Sequence, residues 1–144
     1  MKVSQKVEYA MRAMLELAFH FGAGRVVCTA DIARNQRIPG KFLELILVEL
    51  RRAGLVMSQR GAEGGHRLAR APEFLSVGDI WRAIDGPLAE PAAQAAEKGK
   101  GVSDPFRSVW GDVAKAVSRV VDSTSLADVM KRAEAKRSTP DYSI

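Results

Sequence analysis

Apolar positions recur at helical spacing in six stretches of the chain, interrupted once by two short alternating runs. The rest is organised around residues 38–69, where a short helix runs into a glycine-rich hairpin. Leu43, Ile46, Leu47 and Leu50 keep the three-four-seven spacing of one buried face. Pro39 suits the first helical position, where its missing N–H is no loss, and Gly54 can adopt the left-handed conformation that ends a helix. The opposite face carries Lys41, Leu45, Val48 and Arg52, with Glu44 at its edge. Two readings of that face are open: a solvated surface with two stray apolar residues, or a helix laid in a DNA major groove, which can use cations and apolar groups together.

Leu55 to Gln59 reads as a strand and His66 to Ala69 as its partner, with Arg60-Gly61-Ala62-Glu63-Gly64-Gly65 as the turn and His66 at the wing tip. A glycine-rich tip alone is weak evidence, but a helix followed at once by a basic two-stranded wing is the layout of a winged helix-turn-helix. In that layout Arg60 could reach phosphate or a narrow minor groove. Upstream, Ser4 is a good N-cap for a helix to Phe21 whose stripe is Val7, Met11, Met14, Leu15, Ala18 and Phe21. Ser4, Lys6 and Tyr9 at its start are either a cap, a solvated lysine and a half-buried tyrosine, or a phosphate-contacting group. A second helix spans Thr29 to Gln36, and Arg37-Ile38 turns into the Pro39 helix.

Beyond the wing, Ser76 and Asp79 form a capping box for a helix carrying Val77, Ile80 and Ile84, stopped by Gly86-Pro87; Trp81 reads as core. Residues 87–104 lack a bulky face and read as a loop. Asp104-Pro105 is expected to cap a further helix in which Phe106, Trp110, Val113, Val117 and Val120 step by four and three, a seam suited to a second copy. A last helix is capped by Ser125 with Asp128 and carries Leu126, Val129, Met130 and Ala133, and the tail from Lys136 to Ile144 is polar until its end. The expected fold is mainly α with a small β-hairpin wing. Residues 1–86 form a winged helix-turn-helix DNA-binding domain, 87–104 a flexible loop, 105–136 dimerisation helices and 137–144 a C-terminal tail.

Charge sharpens this reading. The 144 residues carry a net charge of +5. Residues 1–82 hold 13 Lys/Arg against 8 Asp/Glu, whereas residues 83–144 hold nine of each. The whole excess lies with the helix and wing, which points to a polyanion partner, double-stranded DNA. No apolar run approaches a membrane span, and the opening amphipathic pattern lacks the processing site of a signal peptide. A single cysteine, Cys28, precludes an internal disulfide and fits a reducing cytoplasm. Two distant histidines, His20 and His66, and no nucleophile–base pair argue against an enzyme. The competing class is a winged-helix protein-interaction module that does not bind DNA specifically.

The runs S-x-K-x-x-Y-A at Ser4 to Ala10, I-P-x-K-F-L-E at Ile38 to Glu44, L-R-R-A-G-L-V, R-G-x-x-G-G-H-R-L and V-G-D-I-W-R-A-I-D-G resemble the Rrf-two family of bacterial regulators along nearly the whole chain. The resemblance implies a dimeric winged-helix transcription factor, usually a repressor. It places Tyr9, Lys41, Phe42, Glu44, Arg60, Gly65 and His66 on the DNA-reading surface; Ser4, Lys6, Leu45, Arg52, Gly64 and Arg67 complete the candidate set. The family wing usually reads G-P-G-G-G-Y, whereas Ala62, Glu63 and His66 stand here, and Leu45 replaces a glutamine common at the groove face.

Cluster-binding members of the family hold iron–sulfur through three cysteines in the loop that aligns with 87–104, which here contains neither Cys nor His. Glu8 alone matches a site of non-cysteine ligation in some relatives. The expectation is therefore no cluster and no metal, as in the cluster-free CymR-like branch. Three regulatory routes stay open: oxidation of Cys28, which otherwise is inert packing; a small molecule between the 87–104 loop and the Phe106 helix; and the tail. Tyr142-Ser143-Ile144 resembles isoleucine-ending tails that dock into cysteine synthase, which makes that enzyme a candidate partner through Tyr142 and Ile144; an ordinary frayed terminus is the other reading.

Overall fold

A computed structural model of the chain describes residues 3–88 and 105–138. The described elements are α1 (Gln5–Phe21), α2 (Thr29–Gln36), α3 (Gly40–Arg52), β1 (Val56–Gln59), β2 (Gly65–Leu68), α4 (Val77–Asp85), α5 (Arg107–Ser123) and α6 (Leu126–Ser138), with a 3-10 turn at Pro72–Phe74. Ser4 caps α1 by accepting a hydrogen bond from the Val7 N–H. Ser76 and Asp79 form the expected reciprocal box at the start of α4, and Ser125 and Asp128 make the same pair of bonds at the start of α6.

Three boundaries differ from the sequence pattern. Pro39 is the N-cap of α3 rather than its first residue: its extended ψ of 127° lies outside the helix, and its carbonyl accepts from the Leu43 N–H. The strands sit one residue earlier on the second arm, Gly65–Leu68, because Gln59 pairs with Gly65 and Val56 with Leu68. Pro105 lies in a turn and α5 begins at Arg107, with Phe106 as an N-cap that offers no side-chain cap. Asp104, expected to cap it, lies outside the described residues.

One core holds the assembly. Met14 and Leu17 of α1, Ile32 of α2, Leu43, Ile46 and Leu50 of α3, Leu68 of β2, Leu75 and Ile80 are almost fully buried together. Fully burying a Leu or Ile contributes about 1.5–3 kcal/mol, so this layer fixes how α3 is rolled. The α2–α3 turn is drawn tight by Arg37 in the left-handed region (φ 53°) and by Ile38, which is buried. Arg12 donates to the Gln36 carbonyl at 3.0 Å and satisfies an orphaned acceptor at the end of α2.

The two C-terminal helices behave differently from each other. Val77 N–H donates to the Thr124 carbonyl and Leu126 N–H to the Leu75 carbonyl, so the α5–α6 junction is clipped to the residues before α4. Leu126 belongs to the main core and Met130 packs against it. Of residues 105–136, expected to be dimerisation helices, α6 thus packs on the N-terminal body through Leu126 and Met130. In α5, by contrast, Val121 is the one buried residue.

Candidate nucleic-acid interface

The roll of α3 decides what it presents. Leu43, Ile46, Leu47 and Leu50 point into the core, which leaves Lys41, Glu44, Leu45 and Arg52 exposed and Val48 half-buried. Leu45 is 63% exposed. Arg60 in the wing turn and Arg67 on β2 are exposed as well. Among the described residues none of Lys41, Arg52, Arg60 and Arg67 has an ion-pair partner, which leaves four cations able to meet phosphate.

The start of α1 is more heavily engaged than either sequence reading supposed. Lys6 is half-buried and paired: its ammonium donates to Glu49 Oε1 on α3 at 2.6 Å and ties the two helices together. The Ser4 hydroxyl donates to the Asp85 carboxylate at 3.2 Å while its oxygen caps the helix. Tyr9 is half-buried and meets Phe42 edge-on, ring centroids 5.5 Å apart, while Arg12 stacks on its face and Gln5 donates to its hydroxyl. Tyr9 and Phe42 thus set the position of the first turn of α3.

Three wing residues, His66, Gly65 and Gly64, have a structural part in their immediate surroundings. His66 is not at the wing tip. It lies in β2 opposite Ser58, and its backbone N–H and carbonyl both bond Val27 at 2.8 Å. Its ring shares hydrogen bonds with Ser58 Oγ (2.8 Å) and Thr29 Oγ1 (2.9 Å), so it clamps the wing to α2. Burial, and then the charge of Arg51, hold its pKa below the ordinary imidazole value. Gly65 is buried: a Cβ there would lie 2.6 Å from the Val27 carbonyl oxygen, so its place is dictated by close backbone approach. Gly64 is required in the same way by the Gln59 carbonyl.

Glu16, absent from the sequence reading, is the one buried charged residue among those described. Its carboxylate accepts from Asn35 and Gln36, each at 2.8 Å, with His20 at 3.4 Å. Burial works to raise its pKa, but the bonds from Gln36, Asn35 and His20 outweigh that and hold it low. Only His20, one turn on, is a local partner; the two stronger bonds come from Asn35 and Gln36 on α2, 19 and 20 positions away, which no pattern near Glu16 announces. Cys28 is also not packing: it is the N-cap of α2, without a side-chain cap bond, and exposed.

On α5 the expected seam is largely bare. Phe106, Trp110, Val113 and Val120 are exposed and Val117 is half-buried, and Val109, not in the seam pattern, is exposed beside them. Tyr142 and Ile144 lie outside the described residues, as do residues 89–104. No described helix is long and apolar enough to cross a membrane.

With an α3 that turns a charged face outward and a basic wing beside it, comparison with known proteins is decisive. A family profile named Rrf2, iron-dependent transcriptional regulator, matches residues 3–132. The chain belongs to the Rrf2 family. A Mycobacterium tuberculosis relative named as an HTH-type transcriptional regulator is 42% identical over 131 residues, 90% of this chain and 81% of that protein. The solved structure of IscR from T. potens superposes with a TM-score of 0.81 at 39% identity, covering 99% of this chain and 95% of that one. The structure of CymR, the global cysteine regulator of B. subtilis, gives 0.77 at 33% identity, covering 92% and 98%. The Rrf2 chain described here is a DNA-binding transcriptional regulator with a winged helix-turn-helix.

The family description names iron, and the donor set for a thiolate-held iron–sulfur cluster is not present in this chain. Iron–sulfur ligation requires several thiolates. This chain has one cysteine, and among the described residues no three His, Cys, Asp or Glu side chains converge.

Proposed function

We propose that this Rrf2 protein is a homodimeric, cluster-free repressor that lays α3 in the major groove and sets its wing on the flanking backbone. The observation that carries the reading is the division of α3 into a fully buried face and an exposed face bearing Lys41 and Arg52, with Arg60 and Arg67 free beside it. Dimerisation is supported by α5, a 17-residue helix that buries a single residue on its own body and leaves Trp110, Val113 and Val120 in solvent. Two heads on one axis would meet half-sites about one helical turn apart. Control of cysteine genes is supported by the likeness to CymR, and absence of a cluster by the cysteine count.

The test is selection of bound duplexes from a random pool, followed by affinity measured against salt. Each phosphate contact should contribute a slope of about one log unit of affinity per log unit of salt. Weak, salt-insensitive association would favour a protein-binding winged helix and end the proposal. Repeating the selection with sulfur metabolites, and pulling down cysteine synthase with and without Ile144, tests the cysteine link. Iron and acid-labile sulfide in protein purified without oxygen would refute the cluster-free reading.

A further inference from the structure

We infer that Leu45 sets the base preference of this protein by seating its side chain against the 5-methyl group of a thymine in the major groove, an inference that rests on the DNA-reading face proposed above. Leu45 lies at the middle of the outward face of α3, one turn beyond Lys41 and two turns before Arg52, and is 63% exposed. The fold does not require it, since Leu43, Ile46, Leu47 and Leu50 already supply the buried face. A lone exposed leucine is ordinary on a protein surface. What sets this one apart is its place between two exposed cations on the helix that follows a tight helix–helix turn.

The occupant of that place is narrowed by chemistry. A second apolar protein surface laid over Leu45 would desolvate Lys41 and Arg52 without offering them anions, which is costly. A duplex offers both things at once: phosphates along the groove walls for the cations, and an apolar group on its floor. Thymine's methyl is the apolar group an unmodified base pair shows in the major groove. Helix α3, GKFLELILVELRR, contains no Asn, Gln, Ser or Thr, so the paired hydrogen bonds by which an amide reads adenine are not available from it. Val48, half-buried on the next turn of the same face, extends the apolar strip that Leu45 begins.

The experiment uses the intact chain and the duplexes it selects. Each thymine is replaced in turn by deoxyuridine, which removes the methyl and nothing else. At one position in each half-site the loss should weaken binding by about fourfold, the worth of one buried methyl. Restoring a methyl there with a 5-methylcytosine pair should bind better than the unmodified cytosine pair. Leu45→Ala should keep its melting temperature and become indifferent to the uracil change, and Leu45→Gln should select a different site. Sensitivity to uracil nowhere in the site, or the same sensitivity in Leu45→Ala, overturns the inference while the DNA reading stands. Absence of any salt-sensitive duplex binding overturns both.

Discussion

Arg82 on α4 donates two parallel hydrogen bonds to the carboxylate of Asp122 on α5, at 2.6 and 2.9 Å. The fork joins the last helix of the DNA-binding half to the helix that carries the apolar seam. Gly78 makes room for it, since a side chain there would meet Asp122 and Arg82. Hydrogen bonding from Arg82 holds the Asp122 pKa below the ordinary carboxylate value, and the bond to Asp122 raises that of Arg82. Both side chains are more than a third exposed, so solvent discounts the pair to about 0.5–1 kcal/mol. A double-mutant cycle of Arg82→Ala and Asp122→Ala should show that coupling in thermal or urea unfolding. A lowered carboxylate pKa gives stability that is complete above the unfolded value and lost as pH falls through the folded one. The coupling should therefore be full at neutral pH and vanish in acid; a value that persists there would mean the pair is held by packing.

Gly65 is expected to tolerate no side chain. The atoms its Cβ would meet are the carbonyl oxygen and carbon of Val27 and the N–H of Cys28, all backbone and unable to swing aside. Gly65→Ala should cost about 1–3 kcal/mol, in line with other overpacked sites. It should also break the bridge between Val27 and His66, visible as faster amide exchange at those two positions. A neutral melting temperature would show that the wing can slide off α2 without loss.

Much of this architecture could be read from the chain because local signals carried it. The Ser4 and Ser76 caps, the bounds of α1 and α2, and the four buried residues of α3 follow from spacing and capping chemistry within a few residues. What escaped is pairwise and distant. Lys6 finds Glu49 across 43 positions and Glu16 finds Gln36 across 20, and nothing near either residue in sequence marks the partner. His66 was legible as a wing residue, but its clamp on Thr29 depends on a strand pairing that shifts the turn by one. Leu126 joins the main core only because backbone bonds to Leu75 and from Val77 turn the chain back, which no helical period encodes.

Acid should loosen the wing through His66. Burial and Arg51 depress its folded pKa, so as pH falls below about 6.5 the unfolded chain takes up a proton that the folded ring resists. Stability is then fully present above the unfolded value and declines as pH falls toward the folded one. Melting temperature measured from pH 7.5 to 5 should drop more steeply in the wild type than in His66→Gln, which keeps a polar group opposite Ser58 and Thr29 but has no proton to gain. Parallel slopes would mean that the ring is protonated as easily in the fold as outside it.

The bare face of α5 gives the sharpest test of assembly. Val113 lies at the centre of the exposed strip, with Trp110 one turn before it and Val120 two turns after, and it makes no contribution to the main core. Replacing it with aspartate should leave the unfolding of the isolated subunit nearly unchanged, because surface substitutions away from the core stay within about 0.5 kcal/mol. In a dimer the same change places two carboxylates in an apolar seam, where burying an unpaired charge costs several kcal/mol. Sedimentation should therefore show Val113→Asp as a folded monomer at concentrations where the wild type is paired. Its affinity for a two-half-site duplex should fall to that for a single half-site, since linking two heads is what raises the second contact's effective concentration. A Val113→Asp protein that still sediments as a dimer would move the interface to a different surface of the chain.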